Sequence, residues 1–273
     1  MKPAYRLKSA STAQALYVSD PGNHAIEILQ GHPWGTVGTI TSGLNEPQGL
    51  WVDKNRHIYA ADFGNGSVTE YDPAGNLVFT YTAGAQAPTS VTTDRFGNVY
   101  EGDWSGFVNE YQPHVNSVAL TCSIGADLNI GGIAVDARGD VFVSNSDFPG
   151  HVVEFKHGLL NSHCTGTALA VALVVPYGIA LDSNNNLIVA DVVGAVDIVA
   201  PPYSSITGTL GSGWTLPACV TINKANTRAY VGDYGAHTVT ILTYPGGATI
   251  KTLGSTNGLN TPYCGIDSKN YNP

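Results

Sequence analysis

Residues 47–71, PQGLWVDKNRHIYAADFGNGSVTEY, carry the pattern that decides the fold. A short apolar strand at 49–52 ends at Asp53, which opens a tight polar turn. A second strand at 58–61 ends at Asp62, and a third runs over 68–71. The same succession returns about every 41 to 46 residues, and a repeat of that length is the signature of a ring or solenoid of small β units.

Working outward from this unit, the inner strands read PQGLWVD, PTSVTTD, IGGIAVD, PYGIALD and PACVTIN. Second strands follow as IYAAD, VYEGD, VFVSN, LIVAD and AYVGD. Third strands are expected at 68–71, 108–111, 152–155, 196–199 and 239–242. Weaker fourth strands are expected at 77–81, 118–122, 168–173, 206–210 and 248–253. The N-terminal portion supplies a second strand (LYVSD, 16–20), a third (25–29) and a fourth (36–41). Its inner strand recurs at the other end as PYCGID, 262–267, although residues 6–10 also sit at about the right distance. The expectation is an all-β, six-bladed β-propeller of four-stranded antiparallel blades in one domain, residues 1–273. The N- and C-terminal segments share the first blade, about 5–41 with 262–267, so that no blade keeps an unpaired edge.

The turns agree with this reading. Asp53, Asp94, Asp136 and Asp182 each precede a short polar loop, where an Asp side chain bonds backbone amides two residues on. Gly49, Gly132 and Gly178 open inner strands where backbones crowd the axis.

The chain has 273 residues, 43% of them hydrophobic and only 12% charged, with 32 Gly and 15 Pro. That composition suits many short strands with tight turns. A net charge of −9 argues against nucleic acid, whose binding relies on clustered Lys and Arg. No run of about 18 apolar residues exists to insert into a membrane. The N-terminal MKPAYRLKSA lacks the apolar core of a signal peptide. The sparse Lys and abundant Thr, Ser, Asn and Tyr suit an exported protein, periplasmic or extracellular, whose leader is not part of this chain; a cytoplasmic one is the alternative. A monomer is expected.

The series Pro-x-Gly-apolar-x-apolar-Asp, then three apolar residues with Ala-Asp, then apolar-x-x-Tyr, resembles the NHL-repeat family of six-bladed β-propellers. The resemblance covers about residues 16–267 and is specific for architecture rather than activity. Lactonase-like hydrolases, lyases, sensors and plain binding scaffolds all belong to such families. The gluconolactonase-like members imply a channel calcium held by Glu, Asn and Asp side chains. Here only Glu46 and Asn129 offer comparable chemistry at the starts of inner strands, with Asp191 beside them. The inner-strand positions expected to face the channel, Trp51, Thr92, Ala134, Ala180 and Thr221, carry no ionisable group. The amidating lyases imply a three-histidine zinc. His24, His151 and His237 lie on one face at the starts of third strands, though in unevenly spaced units. His57 and His114 fall on the opposite face and are expected to be solvated.

Asp20, Asp62, Asp103, Asn145, Asp191 and Asp233 end the second strand of every unit, so they are expected to cap the following loop. Aromatic residues are more pointed. Phe63, Trp104 and Tyr234 directly follow the repeated Asp, Tyr177 and Tyr263 occupy inner-strand openings, and Trp214 lies in a loop entering an inner strand. All six are expected around one mouth of the channel, with Gln48 beside them and Trp51 below. Rigid rings at a concave mouth suit a small molecule, glycan or peptide. The four cysteines allow three pairings. Cys219 and Cys264 fall in neighbouring units across the ring closure, either bonded or as buried thiols. Cys122 and Cys164 are expected to be free. Two functions follow from these residues: a binding propeller with an aromatic mouth, or a metal-dependent hydrolase or lyase using Ca2+ or Zn2+ at the same mouth.

Overall fold

The computed structural model describes residues 15–31, 34–125 and 129–269. Its strands form six four-stranded antiparallel sheets. Blade I holds β1 (Ala15–Asp20), β2 (Ala25–Gln30) and β3 (Gly35–Ile40). Blade II holds β4 (Pro47–Val52), β5 (Ile58–Asp62), β6 (Ser67–Tyr71) and β7 (Leu77–Tyr81). Blade III holds β8 (Pro88–Thr93), β9 (Val99–Asp103), β10 (Phe107–Tyr111) and β11 (Val118–Ser123). Blade IV holds β12 (Ile130–Val135), β13 (Val141–Asn145), β14 (His151–Phe155) and β15 (Thr167–Ala168). Blade V holds β16 (Pro176–Leu181), β17 (Leu187–Asp191), β18 (Ala195–Val199) and β19 (Gly208–Thr209). Blade VI holds β20 (Pro217–Ile222), β21 (Arg228–Asp233), β22 (Thr238–Thr243) and β23 (Thr249–Leu253).

The last strand, β24 (Cys264–Asp267), pairs antiparallel with β1, matching Leu16 with Asp267 and Ser19 with Cys264. It is the inner strand of blade I, and the ring closes as the sequence predicts. Residues 6–10, the other candidate for that strand, lie outside the described residues. The outer strands of blades IV and V are only two residues long, shorter than expected. Both lie at blade rims, where an edge needs few pairs.

Second strands are buried along their whole length except at Arg228 of β21, because the core lies between blades. Six apolar clusters occur, one at each junction of adjacent blades. Each blade therefore buries both faces, which explains runs such as Leu187–Asp191 that do not alternate in polarity.

The inner turns take the expected form. Asp53 Oδ1 accepts the amides of Asn55 at 2.9 Å and His57 at 2.7 Å, and Asp182 Oδ1 accepts those of Asn184 and Asn186, both at 2.8 Å. The axial glycines are equally constrained. A Cβ on Gly178 would lie 2.6 Å from both the Ala218 carbonyl oxygen and Cys219 Cα, closer than carbon atoms approach. In the same register, blades VI and I carry Cys219 and Cys264, and these are bonded to one another across the junction.

A second disulfide joins Cys122 to Cys164, against the expectation of two free thiols. The cause is the short helix α1 (Gly158–Asn161) between β14 and β15. It buries Leu159 in the cluster between blades III and IV and carries Cys164 onto the neighbouring outer strand β11. No repeat rule signals that detour. Two disulfides and no free cysteine among the described residues belong with an oxidising compartment. No described helix is long and apolar enough to cross a membrane.

Candidate functional site

Antiparallel blades place the ends of the second strands and the starts of the inner strands on one face of the ring. There the repeated carboxylates brace backbone. Asp191 accepts the amides of Val174 and Val175 at 2.8 and 3.0 Å. Asp233 accepts those of Thr215 and Leu216, both at 2.8 Å, and Asp20 those of Asn260 and Thr261 at 2.7 and 2.9 Å. Asp103 holds Gln86 and Ala87, and Asp62 holds Asn45. In blade IV, Asp147 does this for Asn129 at 2.8 Å, while Asn145 holds the Asp147 amide. The sequence reading gave these residues the loop that follows them; Ser105 and Ala236 are indeed bonded there. Their larger task is to fix the loop entering the inner strand of the same blade, and so to position the residues at that strand's start.

Those positioned residues surround a bowl of ≈ 550 Å³. Its lining includes His24, Glu46, Gln48, Phe63, Tyr177, Tyr234 and Tyr263. Tyr263 and Ala218 also line the axial channel beneath, which measures only ≈ 60 Å³. A space of that size holds a few waters, so a ligand fits the bowl and not the channel. Tyr263 packs edge-on against Tyr177, centroids 6.3 Å apart, and against Tyr234 at 5.9 Å. The rim continues to Trp104, 5.9 Å from Tyr177, and to His237, stacked 6.2 Å from Tyr234.

Burial pushes the Tyr177 phenol up to about 12, with the neighbouring Tyr263 and Tyr234 hydroxyls as smaller influences. Burial likewise holds Tyr263 well above its ordinary range. Both rings remain neutral at any working pH. Gln48 Oε1 and the Tyr263 hydroxyl are two of six buried polar atoms without a hydrogen-bond partner among the described residues, with Arg56 Nε, Thr69 Oγ1, Thr92 Oγ1 and Glu101 Oε1. Both are closed to solvent, and the Tyr177 phenol is the polar neighbour that bears on the Tyr263 hydroxyl.

The structure thus gathers Gln48, Phe63, Tyr177, Tyr234 and Tyr263, with Trp104 at the rim. Trp51 lies below them as expected, lining the channel with its Nε1 donating to Thr93 Oγ1 at 2.8 Å. Trp214 departs from the expected cluster. Its Nε1 donates to the Leu210 carbonyl at 2.9 Å, and its ring packs on the core between blades V and VI, because the Gly-Ser-Gly loop folds it inward.

The expected metal ligands are dispersed in their bonding. Glu46 and His24 reach the bowl, where His24 Nδ1 accepts the Glu46 amide at 3.2 Å. Asn129 is tied to Asp147 by its amide nitrogens, and Asp191 to its two backbone amides. His151 lies 3.4 Å from the Asn145 side chain, and His237 stacks on Tyr234. Among the described residues no group of three or more His, Cys, Asp and Glu is arranged to hold a metal ion.

On the opposite face, a cleft of ≈ 140 Å³ between blades II and III is lined by His57, Glu70, Asp94, Arg95 and His114 among others. His57 and His114 are not simply solvated there. Glu70 is 1% exposed. Its Oε1 meets His57 Nδ1 at 2.6 Å and His114 Nε2 at 3.1 Å, and its Oε2 accepts from the Tyr81 hydroxyl at 3.2 Å. Burial, reinforced by the Glu70 charge, keeps the Tyr59 and Tyr81 phenols protonated as donors. Spacing along the chain gave no hint of this, because His114 reaches Glu70 from the neighbouring blade.

No protein-family model matches the chain, and no curated protein does. Among solved structures, the chain is similar to one described as "Crystal structure of Nidogen/Laminin Complex". The two share 14% identity at a TM-score of 0.77, over 95% of this chain and 100% of that one. At that identity the likeness is one of fold, and it supports a six-bladed propeller.

Proposed function

We propose that the protein is an exported binding propeller of the NHL or gluconolactonase-like kind, holding a small ligand in the aromatic bowl above its channel. The observation that carries this reading is the bowl itself, ≈ 550 Å³ in volume and walled by Tyr177, Tyr234 and Tyr263. A concave mouth lined by rigid rings suits a small ligand. The two disulfides support export.

A thermal-shift screen over a glycan, lactone, amine and peptide panel tests the reading. Any stabilising compound is expected to lose at least about tenfold in affinity in Tyr234→Ala and Trp104→Ala, whose rings are 41% and 39% exposed. The melting temperature of either variant alone stays within about 2 °C of the parent, as for other surface changes. Hits that bind both variants as tightly as the parent remove the bowl as the site.

A further inference from the structure

We infer that the bowl's ligand carries a hydrocarbon chain behind an uncharged polar head, the head in the bowl and the chain across the rim of blades IV and V. The inference rests on reading the bowl as a binding site. Exposed apolar side chains on this face gather on one side of the ring. They are Trp104 of blade III, Phe148 of blade IV, Val174 and Val193 of blade V, and Leu216 and Tyr234 of blade VI. Phe148 and Val193 are 79% and 58% exposed. Among the described residues, the loops of blades I and II on this face expose no large apolar side chain. An apolar surface so one-sided marks a place where something binds. It is continuous with the bowl. Leu216 and Tyr234 line both, Trp104 lies 5.9 Å from Tyr177, and the Gly150 amide donates to the Val174 carbonyl at 2.8 Å, which sets the Phe148 loop beside Val174.

The polar groups beneath this surface select the occupant. Val174, Val175 and Leu216 have both backbone groups already paired. Their amides donate to Asp191 and Asp233, and their carbonyls accept from Gly150, Val192 and Tyr234. A peptide or glycan laid here would give up water at its amides or hydroxyls and find few partners in exchange. Methylene groups lose nothing of that kind. Among the described residues, no Lys or Arg occurs in the loops of this face, so a carboxylate or phosphate head would meet no cation. The bowl's polar side, with His24, Glu46 and Thr261, is left to seat an uncharged head.

Isothermal titration with hexyl, octyl and decyl glucoside, each below its micelle concentration, and with decanoate tests this. Burying a methylene fully is worth about fourfold in affinity, and a chain on an open surface buries about half of itself, so about twofold per methylene is expected. Decanoate should bind about tenfold or more weaker than decyl glucoside. The double variant Phe148→Ser, Val193→Ser should flatten the rise from hexyl to decyl and leave hexyl binding unchanged. Tyr234→Ala should weaken all the glucosides. If the glucosides bind alike and Tyr234→Ala weakens them, the bowl stands and the chain is overturned. A rise with length that only Tyr234→Ala lowers confines the chain to the bowl and overturns its path over the rim. A rise that neither variant alters places the chain elsewhere, and bowl and chain fall together. Decanoate binding as tightly as decyl glucoside overturns the uncharged head. Binding to phosphatidylcholine vesicles, or self-association, that the double variant abolishes would give the apolar surface to a membrane or a second copy and overturn the chain. If no glucoside binds, the chain is overturned and the bowl is left to the wider panel.

Discussion

Glu70 and Tyr263 are both almost wholly buried, on opposite faces of the same ring. Glu70 is met by two imidazoles and a phenol, drawn from two blades. Tyr263 has no such clasp, and with Tyr177 and Tyr234 it lines the aromatic bowl. At Glu70 the side chains satisfy a buried carboxylate and tie two blades together. At Tyr263 they wall a cavity large enough for a small molecule. In a repeat protein this separates what each unit requires from what one place in the ring has been given. The braces at Asp20, Asp62, Asp103, Asp191 and Asp233 recur and hold backbone. Gln48, Tyr177, Tyr234 and Tyr263 do not recur as a set.

The two disulfides offer the largest test of this division. They span 42 and 45 residues, so the chain-entropy argument gives each about 4 kcal/mol. Paired substitution to Ser at Cys122 and Cys164 should lower stability by that order in chemical denaturation and leave ligand affinity intact. The same change at Cys219 and Cys264 should lower stability comparably and also weaken binding, since Cys264 adjoins Tyr263 in the bowl's floor. Equal binding losses from both pairs would mean that the bowl responds to global softening rather than to its floor.

Glu70→Ala comes next. It strands the Tyr81 hydroxyl and both imidazoles, at an expected cost of about 3 kcal/mol, with no change in binding. Tyr234→Ala should do the reverse. Its ring is 41% exposed, so its loss changes stability by about 0.5 kcal/mol or less, while affinity falls. A Tyr234→Ala variant that melts well below the parent and binds normally would show that the ring is structural, and the contrast between faces would go.

Most of the fold was legible in the sequence, and less of the site. The Asp that closes each strand and the Gly or Cys at the axis are local requirements of every blade, so they print themselves at a fixed spacing. Phe63, Tyr177, Tyr234 and Tyr263 were legible for a related reason: they sit next to those markers, whose position in the ring is known. Trp214 has no such marker beside it, and its Gly-Ser-Gly loop turns the ring into the core. The Cys122–Cys164 bond and the Glu70 clasp join adjacent blades through irregular loops. Chain spacing is silent on such contacts, because α1 and the 112–117 loop follow no repeat.

Blade V holds the same contrast on a smaller scale. Asp191 is paired to two backbone amides, whereas Asp197 sits mid-strand in β18, 6% exposed. Burial first, and the Asp191 charge second, push Asp197 up to about 6, against about 3.9 in an unfolded chain. Between those values the folded protein binds more protons than the unfolded one. The stabilisation is complete below about pH 4 and is lost as pH rises through about 6. Discounted for partial solvent screening, the effect is about 1 kcal/mol, or about 2 °C in a chain of this size. Asp197→Asn cannot lose that proton, so its melting temperature should exceed the parent's at pH 7.5 by about that margin and converge with it near pH 4. A constant offset across the range would assign the difference to packing and remove the titration of Asp197 from the stability profile.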